Sequence, residues 1–182
     1  MQDFASLIPG SSPSPARISV WIFTLALAAI AGAWLFQLAG YLPCELCLMQ
    51  RTPYYIGVPL AGATAWFALY SPGATARIGF WLLAALFAYS TAFGLYHSGV
   101  EWGFWLGPTA CTGGIKAAPK VDDFLKELQT IQIVRCDAVA IRILGLSLAG
   151  WNAVVSAIIA ALAYGAARKA QVEPVQLPPF SE

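Results

Sequence analysis

Long uncharged apolar runs alternate with short polar stretches along the chain. Ile18 to Ala39 holds 22 residues without a charge, Tyr54 to Tyr70 holds 17, Ile78 to Tyr96 holds 19, and Leu144 to Ala167 holds 24. A bilayer core takes roughly 20 apolar residues per helix, and a single chain segment can satisfy its own backbone in lipid only as a helix. The pattern predicts an all-α membrane protein, a bundle of four transmembrane helices spanning about 18–39, 54–70, 78–96 and 147–167. The second span is the shortest and contains Pro59, which predicts a kink. Trp21, Trp34, Trp66, Trp81 and Trp151 fall near run ends, where interface aromatics collect. A signal peptide cut at Ala31-Gly32-Ala33 is the competing reading of the first run. That run is longer than an h-region of about 7–15 residues, and Arg17 is its one basic flank.

Four spans place both termini and the Ser71–Arg77 turn on one side, with loops 40–53 and 97–146 on the other. The expected organisation is a disordered cytoplasmic N-terminus over 1–17, a membrane domain over 18–167 and a cytoplasmic tail over 168–182. Within the long loop, Val121, Phe124, Leu125 and Leu128 recur at helical spacing opposite Asp122, Asp123, Lys126 and Glu127. That spacing predicts a short amphipathic surface helix, lying on the bilayer or packed on the loop itself. Lone Asn152, early in the fourth span, is expected to hydrogen-bond between helices. Ala61-Gly62-Ala63 offers small residues for close packing.

Composition agrees with the pattern. The chain is 59% hydrophobic and 10% charged, against about 45–50% and 25% in soluble domains. A net charge of +1 offers nothing for nucleic acid. Charge does not fix orientation. Arg17, Arg77, Arg168 and Lys169 abut spans on the termini side, while Arg51, Lys116, Lys120, Lys126, Arg135 and Arg142 lie on the other.

The cysteines decide more. All four lie in the two same-side loops: Cys44 and Cys47 in the short one, Cys111 and Cys136 in the long one. Disulfides persist outside the cytosol, so this face is expected to be periplasmic. Pro43-Cys44-Glu45-Leu46-Cys47 is a C-x-x-C, a spacing that closes a small disulfide ring and often lowers a thiol pKa. Pro43 is expected to end the first helix. If Cys47–Arg51 is helical, the guanidinium shares a face with the Cys47 sulfur and favours its thiolate. Leu48 rules out haem attachment, which needs C-x-x-C-H. Structural zinc draws ligands as tight pairs, which Cys111 and Cys136 are not, so no metal centre is expected. Two inert structural disulfides remain an alternative. His97, the one histidine, ends the third run on the cysteine side, with Glu101 one turn on. Either group is placed to handle protons there or simply to meet water.

The chain resembles the disulfide bond formation protein B family over about residues 18–167. The carriers are Pro43-Cys44-x-x-Cys47 with Arg51, His97 after the third run, Pro108-Thr-Ala-Cys111, Cys136-Asp137 and Leu144-Gly-Leu-Ser-Leu-Ala-Gly-Trp151. Such relays are the known case of a periplasm held oxidising kinetically. The resemblance implies a bacterial inner-membrane enzyme that reoxidises a periplasmic thioredoxin-fold thiol oxidase, a disulfide bond formation protein A-like partner, and passes electrons to ubiquinone or menaquinone. It implies that Cys44 and Cys47 form the quinone-facing redox pair, with Cys47 attacking or charge-transferring with the quinone. Arg51 would sit beside the quinone, with His97 as a hydrogen-bond donor to it. Cys111 would form the mixed disulfide with the partner, and Cys136 would be its mate. Glu45 departs from favourable chemistry, because an acid inside the C-x-x-C opposes thiolate formation. Vitamin K epoxide reductase-like proteins share the four-helix thiol–quinone logic but normally carry the C-x-x-C late in the chain. The reading from another class is a non-catalytic membrane scaffold with two structural disulfides.

Overall fold

The computed structural model describes residues 14–71, 73–108 and 134–170. Four long helices dominate: α1 (Pro15–Leu38), α2 (Glu45–Tyr70), α3 (Ala74–Glu101) and α4 (Leu148–Lys169). A two-stranded antiparallel hairpin, β1 (Arg142–Ile143) and β2 (Leu146–Ser147), precedes α4. Cys111, the expected amphipathic helix and most of both tails lie outside the described residues.

Three helices, α1, α3 and α4, are long and apolar enough to cross a membrane, making this a multi-pass membrane protein. The expected fourth crossing belongs to α2. Its 26 residues form one continuous helix, but the N-terminal part holds Glu45, Gln50 and Arg51, which lowers its apolarity. Pro53 and Pro59 both sit inside it. The expected loop over 40–53 is therefore mostly helix: only Ala39 to Cys44 connects α1 to α2.

That connection is built by glycine rather than by Pro43. Gly40 adopts φ +96°, its N–H donates to the Gln37 carbonyl, and Tyr41 N–H donates to the Phe36 carbonyl. This is the left-handed cap that closes a helix and turns the chain aside. Pro43 then leads into Cys44, the N-cap of α2. The hairpin departs from the sequence pattern, in which Leu144 reads as the start of an apolar run. Leu144 and Gly145 instead take φ +51° and +85°, a turn whose twist suits a two-residue hairpin. Trp151 Nε1 donates to the Ile143 carbonyl at 2.8 Å and ties this hairpin to α4.

Phe80, Phe87, Ile22, Leu83 and Ile159 fill the core from α1, α3 and α4. Many large apolar side chains face outward, among them Leu35, Trp66, Ile78 and Leu95, as lipid contact requires. At Gly94 a Cβ would come within 3.0 Å of the Ala153 backbone, so α3 and α4 touch main chain to main chain there. Polar glue comes from Tyr54, Ser156 and Ser90, whose hydroxyls join α2, α4 and α3 through two 2.9 Å hydrogen bonds. Each such bond contributes on the order of 0.6 kcal/mol.

Candidate active site

One end of the bundle gathers the chemistry. The C-termini of α1 and α3 meet the N-termini of α2 and α4 there, so residues from four elements converge. Cys44 caps α2, and its sulfur accepts the Cys47 N–H at 3.2 Å. Both are free thiols, Cys44 buried and Cys47 half-buried. Cys136 is disulfide-bonded. It is almost fully buried and packs in one small cluster with Cys44, Leu46 and Val100.

His97 lies on the Cys44 side of the pair. Its Nε2 is 3.7 Å from the Cys44 sulfur and its Nδ1 is 3.1 Å from Gln50 Nε2. An amide nitrogen can only donate, so Nδ1 accepts and the imidazole proton sits on Nε2, facing the sulfur. The Cys136 backbone also hydrogen-bonds this ring. The imidazole thus touches both sulfur-bearing segments. Glu101, one turn further, accepts a hydrogen bond from the Ser147 hydroxyl and so joins the end of α3 to the cap of α4.

Cys47 faces the other way. It lines a cavity of about 250 Å³ between α1, α2 and α4. The walls are mainly apolar, with Ala33, Phe36, Leu42, Leu148 and Val155 among them, and Gln50, Arg51 and Asn152 supply polar groups. His97 is not part of the lining and reaches it only through Gln50. Arg51 is i+4 from Cys47 in α2, as the spacing anticipated, but its guanidinium reaches back to α1. It donates to Gln37 Oε1 at 2.6 Å and to the Ala33 carbonyl at 3.1 Å, and lies 5.7 Å from the Trp34 ring centre. A guanidinium carries five donors, so some remain for the cavity.

Asn152 corrects an expectation. Its amide nitrogen is buried at the cavity and has no hydrogen-bond partner among the described residues. The bonding between helices falls to Ser156, one turn deeper, because that position faces α2 and α3. The sequence gives no sign of this difference, since both residues are small polar groups on α4.

The two thiols of the C-x-x-C are unequal. A hydrogen bond from the Cys44 thiol holds the Cys47 thiol below the ordinary cysteine value, helped by a second contact with the Cys44 backbone and by the charge of Arg51, against the cost of burial. The same side-chain bond, burial and the Cys47 charge push Cys44 up. The Cys47 N–H pulls Cys44 the other way but is outweighed. Cys47 therefore loses the first proton. Stepped-pH alkylation of the reduced protein, read by mass spectrometry, is expected to modify Cys47 at a lower pH than an ordinary free thiol. Cys44 should react only at a clearly higher pH; equal or reversed order would contradict the assignment.

Searches among curated proteins and among solved structures returned no match. The family profile described as "Disulfide bond formation protein DsbB" matches residues 15–166, which takes in α1, α2, α3, all but the last three residues of α4, and the C-x-x-C. With most of its length covered by that match, the chain belongs to the DsbB family of disulfide bond formation proteins.

Proposed function

We propose that this protein is a membrane thiol–quinone oxidoreductase that reoxidises a periplasmic thioredoxin-fold dithiol oxidase. Its electrons pass to ubiquinone or menaquinone in the bacterial inner membrane, which sustains disulfide formation in the periplasm. Family membership supports a disulfide oxidoreductase role. One observation carries the finer reading: the C-x-x-C is two-faced. Cys44 packs against disulfide-bonded Cys136, and Cys47 opens on an apolar cavity.

The cavity fits a quinone headgroup, which is flat, largely apolar and edged by two carbonyl acceptors. Apolar walls suit the ring, and the unpaired Asn152 amide and spare Arg51 donors suit the carbonyls. A quinone supplies an acceptor for two electrons and two protons. The chain's own residues do the rest. The partner dithiol first reduces the Cys111–Cys136 disulfide and itself leaves as a disulfide; with Cys44 and Cys47 joined as a disulfide, the Cys136 thiolate then attacks the Cys44 sulfur and Cys47 leaves as thiolate. Cys111 then attacks Cys136, closing the Cys111–Cys136 disulfide and freeing Cys44. Two electrons have then moved to the C-x-x-C pair, which is left as two thiols. Free Cys44 and Cys47 thiols beside a disulfide-bonded Cys136 support this order of exchange. The His97 Nε2 proton supports charge on Cys44 during exchange, and Gln50 holds the ring in that tautomer. Cys47, with its lowered pKa, is the thiolate that faces the acceptor.

As a scaffold, the protein would have no use for two free thiols in a C-x-x-C that opens on a cavity. Purified protein with a reduced thioredoxin-fold dithiol and quinone is expected to oxidise the dithiol and bleach quinone absorbance together; absence of both would favour the scaffold. Arg51→Ala should weaken apparent quinone affinity about tenfold, the scale of a hydrogen bond from a charged donor. Asn152→Leu should weaken it by a few-fold, the scale of a neutral one, roughly 1 kcal/mol. Unchanged quinone dependence in both variants would remove the cavity from the account.

A further inference from the structure

Neither the fold nor the proposed electron path requires a metal, yet the Cys44 sulfur, the Cys47 sulfur and a His97 ring nitrogen all lie within 4.8 Å of one another. We infer that the reduced C-x-x-C and His97 form a three-ligand site for a thiophilic divalent cation of the zinc class, and that occupancy halts electron transfer.

The geometry matches the chemistry. Zinc binds thiolate sulfur at about 2.3 Å and imidazole nitrogen at about 2.0–2.1 Å in a tetrahedron, so a sulfur and a nitrogen ligand stand about 3.6 Å apart. Cys44 Sγ and His97 Nε2 are 3.7 Å apart. Binding moves the imidazole proton from Nε2 to Nδ1, and a half-turn of the Gln50 amide, 3.1 Å away, presents its oxygen to that N–H as the outer-shell contact. Cys44 and His97 are 4% and 1% exposed, so the cation would be shielded from competing water. Glu101 adds negative charge close enough to act on both sulfurs. The positive charge of Arg51 opposes binding, but its guanidinium is turned toward α1. Three protein ligands leave a fourth position open.

Sequence spacing gives no hint of this set, because His97 lies 53 residues from Cys44. Binding is tied to redox state. The two thiols release their protons to the solvent as the sulfurs bind the cation, with no change in oxidation state. A disulfide uses the same sulfur electrons, so the oxidised pair has no site. Bound thiolates, conversely, are not free to reduce an acceptor. A zinc-class cation thus acts as a brake on the reduced form alone.

The test uses Co²⁺ as a spectroscopic stand-in for zinc, added anaerobically to the full-length protein carrying Cys111→Ser and Cys136→Ser, which leaves one thiol pair. The reduced protein is expected to give a sulfur-to-metal charge-transfer band that saturates at one equivalent and disappears with excess Zn²⁺. After oxidation to the Cys44–Cys47 disulfide the band should be absent. His97→Ala should weaken Co²⁺ by at least about tenfold, the lower end of what losing even an outer-shell partner costs. Helical circular dichroism and quinone binding of each variant, measured alongside, separate lost metal binding from lost folding. No band in the folded, reduced protein, or a band equally strong in His97→Ala or after oxidation, would overturn the inference. Quinone turnover in metal-free buffer tests the electron path separately and is unaffected by that outcome.

Discussion

Cys47→Ser is expected to reduce quinone-dependent oxidation of the partner dithiol to background, a fall of at least about a thousandfold, as when a catalytic nucleophile is removed. Cys47 is the sulfur that lines the cavity and the member of the pair that loses its proton first. A serine hydroxyl cannot form the Cys44–Cys47 disulfide, so no two-electron step reaches the acceptor. Packing changes little, since the side chain is half-buried and keeps its shape. Quinone affinity should therefore hold within about twofold, because Arg51, Asn152 and the apolar walls supply it. Substantial turnover in Cys47→Ser would remove this residue from the path.

The second large effect is expected at Cys111. Cys111→Ser should abolish steady-state oxidation of the partner while leaving quinone binding intact, since the cavity proposed for it is lined by α1, the α1–α2 connection, α2, α4 and Ala140. A single turnover of the pre-reduced Cys44–Cys47 pair by quinone should also survive. This split distinguishes a residue that receives electrons from the partner from one that passes them to the membrane. Full-rate partner oxidation by the variant would show that another cysteine contacts the partner. Joint loss of both half-reactions would show that the two sulfur pairs are not separable stages.

Much of this was legible in the chain, for identifiable reasons. Apolar runs over 18–39, 78–96 and 147–167 mark helices α1, α3 and α4, because bilayer thickness fixes their length. The i+4 relation of Cys47 and Arg51 was legible because helical periodicity is local. Contacts between distant elements were not. Nothing in the spacing says that Arg51 turns back to Gln37 and Ala33. Nor does spacing show that His97 faces Cys44 rather than lining the cavity. Gln50 carries no motif: it is a polar residue beside an arginine, and only the fold places it between His97 and the cavity. The one available signal was a glutamine preceding the apolar run of α2, a position that lipid exposure disfavours. Asn152 and Ser156 were indistinguishable until helix rotation aimed one at a cavity and the other at the core. The hairpin at Leu144-Gly145 was hidden by its own apolarity, since a short strand and the start of a span share composition.

The two-faced C-x-x-C is tested most directly by anaerobic mixing of fully reduced protein, in lipid nanodiscs, with one equivalent of quinone. Quinone absorbance and the redox state of each cysteine are followed in the same sample. The account predicts that one quinone is reduced for each pair of thiols lost, and that Cys44 and Cys47 are the first pair lost, with Cys111 and Cys136 oxidised only through them. If Cys111 and Cys136 oxidise first, or if quinone is reduced equally well when Cys44 and Cys47 are both serine, electrons do not pass through the C-x-x-C.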